Sequence, residues 1–438
     1  MKGLTTTAVL AALLVGLGAY IYFYEWGEQP AAEEKEKAFA AVATDSIEEL
    51  QIKAATGETS HLRRGDNGWE IVEPVTANAD PAEISSITSN LSSLEVQRVV
   101  DENPSDVAQY GLNPPKVDVA FRLKNEKDFR HLFVGEKTAT GGDLYARRQN
   151  DKKVFLISSF LDSTFNRTTF DLRDKRILAI DREKVDAVEI ANGRDVVQVV
   201  KSGDQWRLAK PFDARGDYGA VEGLVTRLSS GQMQRIVDAE GKDLKQYGLD
   251  PPTTTVTVAA GSARASLLFG RTEAQSTYAK DASRPMVFAV EESLVTDVRK
   301  PAADLRRKDV FDFRSFTANR IEVRRGADTL VFEKTKDKDG KEIWRTAGGQ
   351  NADTTKVEDL LTKLSNLRAA SFETAPPAAM TSPDMTVNVR FDENKTETVT
   401  LAKNGSDAYA ARAGEPGAAK LEATPYDDAV KALDALKQ

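Results

Sequence analysis

Apolar positions along this chain follow two rhythms that take turns. Over 47–54, 61–64 and 69–72 apolar and polar residues alternate, as in strands with one face on a core. From Asp80 the spacing changes. Ile84, Ile87 and Leu91 fall at +4, +7 and +11, which makes one stripe on a helix of about 3.6 residues per turn. Alternation returns over 117–123, 129–135, 144–148 and 153–157, and a short helical stretch follows at 158–165. The same succession is then written again. Asp217 precedes Val221, Leu224 and Leu228, and Asp353 precedes Val357, Leu360 and Leu364. Each aspartate suits a helix N-cap, and in the first copy Pro81 fits the first helical position while Glu83 completes a capping box. The pattern predicts an α+β fold: three tandem repeats, each a curved, mainly antiparallel sheet with one long amphipathic helix packed on it.

The copies also share residues. Aligned at an offset of 137, residues 69–115 and 206–252 agree at 18 of 47 positions without a gap. Trp69 and Pro74 match Trp206 and Pro211, and Gln-Arg-x-Val-Asp recurs at 97–101 and 234–238. QYGLNPP at 109–115 returns as QYGLDPP at 246–252. In that string Gly111 and Gly248 suit a left-handed helix ending, Leu112 and Leu249 its apolar contact, and the paired prolines forbid further helix. The string therefore reads first as scaffold. Trp344 opens a third copy that has lost it. Residues 170–178 and 303–311 read as connectors. The expected organisation is an anchor at 1–26, a solvated linker at 27–44, and repeats at 45–178, 179–312 and 313–438, the last degenerate.

Residues 4–24 are uncharged and mostly apolar, and as a helix they would span about 32 Å, enough for a bilayer core. Lys2 precedes the run and Glu25 and Glu28 follow it, so the expected orientation is N-terminus in the cytoplasm and the bulk of the chain outside. The run ends in Tyr20, Tyr22, Tyr24 and Trp26, an aromatic belt and no small-residue cleavage site.

Composition narrows the chemistry. A formal charge of −8 argues against nucleic acid as a partner. With no cysteine and two histidines, His61 and His131, thiolate chemistry is excluded and a histidine-based metal or catalytic site lacks partners. Residues 135–142 hold a Lys-Thr pair, but Glu136 stands where a phosphate loop needs glycine. Residues 337–342 place threonines at both ends of a would-be calcium loop and read better as a hairpin with Asp-Gly chemistry. No catalytic, cofactor-binding or metal-ligating residues emerge. The repeated Arg98 and Asp101, Arg235 and Asp238, with Tyr110 and Tyr247, are the candidate partner contacts. Their ordinary reading is a local Arg–Asp ion pair on an edge strand.

The apolar N-terminal run, the tandem Trp-x4-Pro units, the amphipathic helices and the Tyr-Gly-Leu-x-Pro-Pro turns together resemble the domain-of-unknown-function 4340 family. That resemblance covers 45–312 clearly and 313–438 weakly. It implies a non-enzymatic, membrane-anchored periplasmic protein of the bacterial inner membrane. Its implied role is an accessory or substrate-contacting subunit of a gliding-type ABC transporter, with the permease and auxiliary subunits as partners, and the bilayer met through residues 4–24. The alternative is a structural envelope module that binds peptidoglycan or spans the periplasm. An anchored hydrolase using paired carboxylates is the remaining reading.

Overall fold

Three sheets carry the fold, in a computed structural model that describes residues 12–20, 36–40 and 42–437. The first contains β1 (Ile47–Lys53), β2 (Thr59–Gly65), β3 (Gly68–Glu73), β4 (Ala77–Asn78), β5 (Arg98–Asp101), β6 (Val117–Leu123), β7 (Arg130–Lys137), β8 (Asp143–Arg148) and β9 (Val154–Ser158). Their order across the sheet is β4-β3-β2-β1-β6-β7-β8-β9-β5, and every pairing is antiparallel. A second nine-stranded sheet repeats this order between Ala187 and Glu291. A third, between Ala318 and Leu421, repeats it with eight strands, lacking only the two-residue outer strand. The chain divides into two compact units, residues 1–175 with the first sheet and 176–438 with the other two.

Each crossing helix forms where the stripe predicts it: Pro81–Ser93, Tyr218–Ser230 and Thr354–Ser365. The nine stripe residues are all buried. In the first unit Ile84, Ile87 and Leu91 share a core with Leu50, Ile52, Val119 and Phe121. Asp80, Asp217 and Asp353 all cap, their carboxylates accepting from backbone amides of the first turn. The expected capping box at Glu83 does not form. The Asp80 amide it would serve already donates to Leu172 O at 2.8 Å, and the Glu83 carboxylate meets Arg167 Nη2 at 2.8 Å. Asp217 N donates likewise to Leu305 O at 2.8 Å. Thus each connector folds back on the helix of the copy it leaves.

The connectors also dock on the copy they enter. In the second unit Ile177 N donates to Gly231 O (3.0 Å), and Val310 N to Leu367 O (3.0 Å), both just past a crossing helix. In the first unit residues 36–39 fill this place, with Ala38 N on Leu94 O at 2.7 Å. The expected solvated linker therefore ends early: Ala38, Phe39 and Val42 are buried in the first core. An arginine that ends β8 or its counterpart, or lies in the hairpin just after it, clamps each entering segment by a carbonyl. Arg148 Nη1 donates to Ala38 O at 2.8 Å, Arg284 Nη2 to Ile177 O at 2.6 Å, and Arg412 Nη1 to Val310 O at 3.3 Å. An acid three residues away holds each arginine. Asp151 lies after Arg148 (2.6 Å), Asp281 before Arg284 (3.0 Å), and Glu415 after Arg412 (4.0 Å).

At the third copy the clamp grows into a network inside the second unit. Arg215 binds Glu415 (2.5 Å) and Asp312 (2.7 Å), Arg306 binds the other Glu415 oxygen (2.9 Å), and Arg412 binds Asp312 (2.8 Å) and Glu397. Glu397 also accepts from the amides of Asp312 and Phe313, both at 2.9 Å. The Arg306 guanidinium lies over the Phe372 ring at 4.2 Å. A helix that the strand-and-stripe reading did not anticipate, Ala423–Ala435, packs Tyr426, Ala429, Ala432 and Leu433 onto this copy's core.

The apolar run at 4–24 falls largely outside the described residues, of which 12–20 are helical. Among the described residues no helix is long and apolar enough to cross a membrane.

Burial opposes ionisation of Asp312 and Glu415, yet the facing arginines outweigh it and hold both carboxyls below their ordinary values of 3.8 and 4.5. The unfolded chain thus takes up protons first. The network's contribution is complete above pH 4.5 and is lost as pH falls through the depressed folded values. Urea melts of the second unit's signal are expected to lose midpoint steadily below that pH. Glu415→Ala, which leaves Arg306 buried without its acid and Arg215 with Asp312 alone, is expected to cost about 3–5 kcal/mol at pH 7.

Candidate functional site

The Tyr-Gly-Leu-x-Pro-Pro string makes the same turn in both copies. One 3₁₀ turn, Ala108–Tyr110 or Lys245–Tyr247, ends at a glycine with φ of 69° or 66°. Leu112 N then reaches back to Val107 O (3.2 Å) and Leu249 N to Leu244 O (3.0 Å), which is the Schellman ending, and both leucines are buried. The peptide before the first proline is cis at Asn113–Pro114 and Asp250–Pro251, as it is at Glu73–Pro74 and Lys210–Pro211. Each turn lies flat on a strand glycine. A Cβ on Gly135 would stand 2.1 Å from Tyr110 O, and one on Gly270 would stand 2.1 Å from Tyr247 O.

This seating aims each tyrosine at the face of the sheet turned away from the crossing helix. Leu144 and Ala146 point into the core, so Tyr145 between them points to that outer face. There the Tyr110 and Tyr145 rings meet at 5.0 Å, and the Tyr110 hydroxyl donates to Asp101 Oδ2 at 3.3 Å. The second unit builds the same group. Tyr247 and Tyr278 meet at 5.2 Å, and the Tyr247 hydroxyl bonds Asp238. Both aspartates sit at a bulge in an edge strand, between Val99 and Asp101 or between Ile236 and Asp238. Asp101 Oδ1 accepts from Asn103 N (3.0 Å), and Asp238 Oδ1 from Glu240 N (2.9 Å). Burial, then the adjacent aspartate charge, pushes the Tyr110 and Tyr247 phenols above their ordinary 10.

Of the six expected contacts, the structure brings Asp101 to Tyr110 and Asp238 to Tyr247. It does not bring Arg98 to Asp101 or Arg235 to Asp238. Each aspartate is taken by its tyrosine and the turn after it, so the expected Arg–Asp pair is replaced by a Tyr–Asp bond. Arg98 and Arg235 are exposed, and their side chains form no hydrogen bond or ion pair among the described residues. Tyr145 and Tyr278 were missing from the sequence reading, although a signal was there: Tyr-Ala recurs at 145, 278 and 409, always in the same strand of the sheet.

The histidines lie in strands, as the alternation implied, and each faces an acid. His61 Nε2 is 3.0 Å from Glu49, and His131 Nδ1 is 2.9 Å from Asp118. Glu49 also takes Arg122 at 2.7 Å, and despite burial the bonds to Arg122 and His61 hold its carboxyl below the ordinary range. Among the described residues no three His, Cys, Asp or Glu side chains gather as metal ligands would. Residues 337–342 form the expected hairpin: Asp337 N bonds Lys341 O at 2.9 Å, and Gly340 takes a φ of 79°.

The turn's seating and its electrostatics are separately testable. Gly135→Ala is expected to cost about 1–3 kcal/mol in urea unfolding, since the turn or the strand must shift. Asp101→Asn removes the charge beside Tyr110. Its ring-carbon NMR titration is then expected to move to lower pH, with Tyr247 unmoved.

Comparison with known proteins bears on the whole chain. The crystal structure of the DNA polymerase sliding clamp from Pseudomonas aeruginosa aligns over 87% of this chain and 92% of its own, at 10% identity and a TM-score of 0.18. A putative 6-phosphogluconolactonase from Bacteroides uniformis aligns over 85% and 83%, at 11% identity and a TM-score of 0.08. Likenesses this weak carry no argument about fold or function. No curated protein matches. The model for "Domain of unknown function (DUF4340)" matches twice, over residues 69–207 and 206–384. Each match opens on a repeat tryptophan, Trp69 or Trp206, and runs through a connector into the following copy. With those matches spanning well over half its length, and with the repeat described above as their structural basis, the chain belongs to the DUF4340 family.

Proposed function

We propose that this chain is a non-enzymatic, membrane-tethered accessory subunit. Its sheets, presented outside the bacterial inner membrane, would hold the permease and auxiliary subunits of a gliding-type ABC transport assembly. The carrying observation is the recurrence of one group in two copies. A half-buried tyrosine, packed on a second one (Tyr145, or the buried Tyr278), is locked by an aspartate of an edge strand whose first residue is an exposed arginine with no partner among the described residues. Rigid aromatics with a free arginine are the residue types that dominate protein–protein contacts. The tyrosines are fixed by a turn whose glycines and leucine serve folding, so the group is held in place before any partner arrives. The apolar run at 4–24 supports tethering, because its length matches a bilayer core and its flanking charges favour an outward-facing chain.

Purification of the full chain from native membranes in mild detergent tests this reading. Permease and ATPase subunits are expected to be recovered with it, and recovery of the chain alone would overturn the proposal. Arg98→Glu combined with Arg235→Glu is expected to reduce that recovery severalfold. The melting temperature should stay put, because neither side chain supports the fold.

A further inference from the structure

Three hairpins of the first sheet are longer than their counterparts in the other two, those at 54–58, 124–129 and 138–142, and the second of them borders a cleft. β6 and β7 are joined by residues 124–129, whereas 261–262 join the counterpart strands of the second sheet and 392–394 those of the third. At the same end the hairpin at 149–153 keeps its length at 282–286 and 413–417, while the β2–β3 turn is extended only in the third copy, at 337–341. Three copies of one fold serve as each other's controls, and in such arrays an insertion confined to one copy marks a surface with its own task. The added loop is braced. The Glu126 carboxylate grips Arg130 through both oxygens (3.1 and 2.5 Å), and its carbonyl accepts from Arg122 Nη1 at 3.0 Å.

Beside the loop lies a cleft of about 460 Å³ in the first unit, a size common among small-ligand sites. Its floor reaches Phe39, which keeps 7% exposure where the matching Leu178 and Phe311 keep none. Phe129, Arg130, His131, Gln149 and Asn150 contribute to its walls.

We propose that this cleft binds an uncharged saccharide segment. Its charges are already matched inside the protein: Arg130 with Glu126, Arg148 with Asp151 at 2.6 Å, and His131 with Asp118 at 2.9 Å. Lys127 and Asp128, both exposed, add one charge of each sign. An ionic ligand would find no excess charge to pair with, and an apolar one would strand the polar majority of the lining. What the cleft offers is two exposed amide side chains at Gln149 and Asn150, each both donor and acceptor, and aromatic carbon at the half-buried Phe129. That combination suits a ring bearing hydroxyls on its edges and C–H groups on its faces. A peptide strand is the poorer fit, since such ligands add to a free sheet edge, and β6 and β7 both lie inside the sheet. The proposal does not depend on the transport reading, because the purified chain alone suffices to test it.

The test titrates the full chain in detergent with chitotriose, cellotriose and maltotriose, read by saturation-transfer NMR and calorimetry. Glucose 6-phosphate and trialanine serve as the charged and peptide probes. At least one neutral trisaccharide is expected to bind, with its ring protons saturated. Replacing residues 124–129 by the Gly-Ser turn of the second copy is expected to weaken it by about tenfold or more. Phe129→Ala with Gln149→Ala, which leaves the loop in place, is expected to do the same if the loop exchange disturbs folding. Failure of all three sugars to bind, binding only of the phosphate or the peptide, or sugar affinity unchanged in both variants would each overturn the assignment.

Discussion

The order of this molecule depends on an arginine that reaches the carbonyls of an entering segment. A sheet with a helix on one face still has an open end where the chain arrives from the previous copy. Arg148, Arg284 and Arg412 close that end by bonding to Ala38, Ile177 and Val310, each steadied by an acid three residues away. The entering residue then fills the core from above, as Phe39, Leu178 and Phe311 do. Guanidinium suits this place because its several donors can serve a carboxylate and a carbonyl together. Without it, buried carbonyls would lose partners that a loop cannot easily replace.

How much of this was legible depends on whether an element's cause lies within a few residues. Asp80, Asp217 and Asp353 cap helices whose stripes are local, and all three helices appear as read. The Gly111 and Gly248 turns also carry their own instructions. The capping box at Glu83 failed because its target amide was claimed from 92 residues downstream, by Leu172. The Arg98–Asp101 pair failed for a similar reason: Tyr110 lies in a separate turn, and the bulge after Val99 decides which way the aspartate faces. The arginine clamps were harder to see. Aligned by Tyr145 and Tyr278, the first copy has Arg148 before Asp151, and the second has Asp281 before Arg284, so residue identity disagrees where geometry agrees.

Membership in the DUF4340 family and the repeat architecture explain each other. The two family matches begin at tryptophans midway through a sheet, so the family's unit straddles a connector and does not coincide with one closed sheet. Connector and sheet are mutually dependent parts. Asp217 N bonds Leu305 O at one end of the second connector, and Val310 N bonds Leu367 O at the other. Such an element belongs to both copies at once, which is why a sequence profile captures it whole.

The reversed order of acid and base at the second clamp also bears on how the copies could have diverged. Asp281–Arg284 stands where the first copy has Arg148–Asp151 and the third Arg412–Glu415. Changing one member alone would set two like charges side by side in a largely enclosed corner. Passage between the two arrangements thus requires a paired exchange or a neutral intermediate.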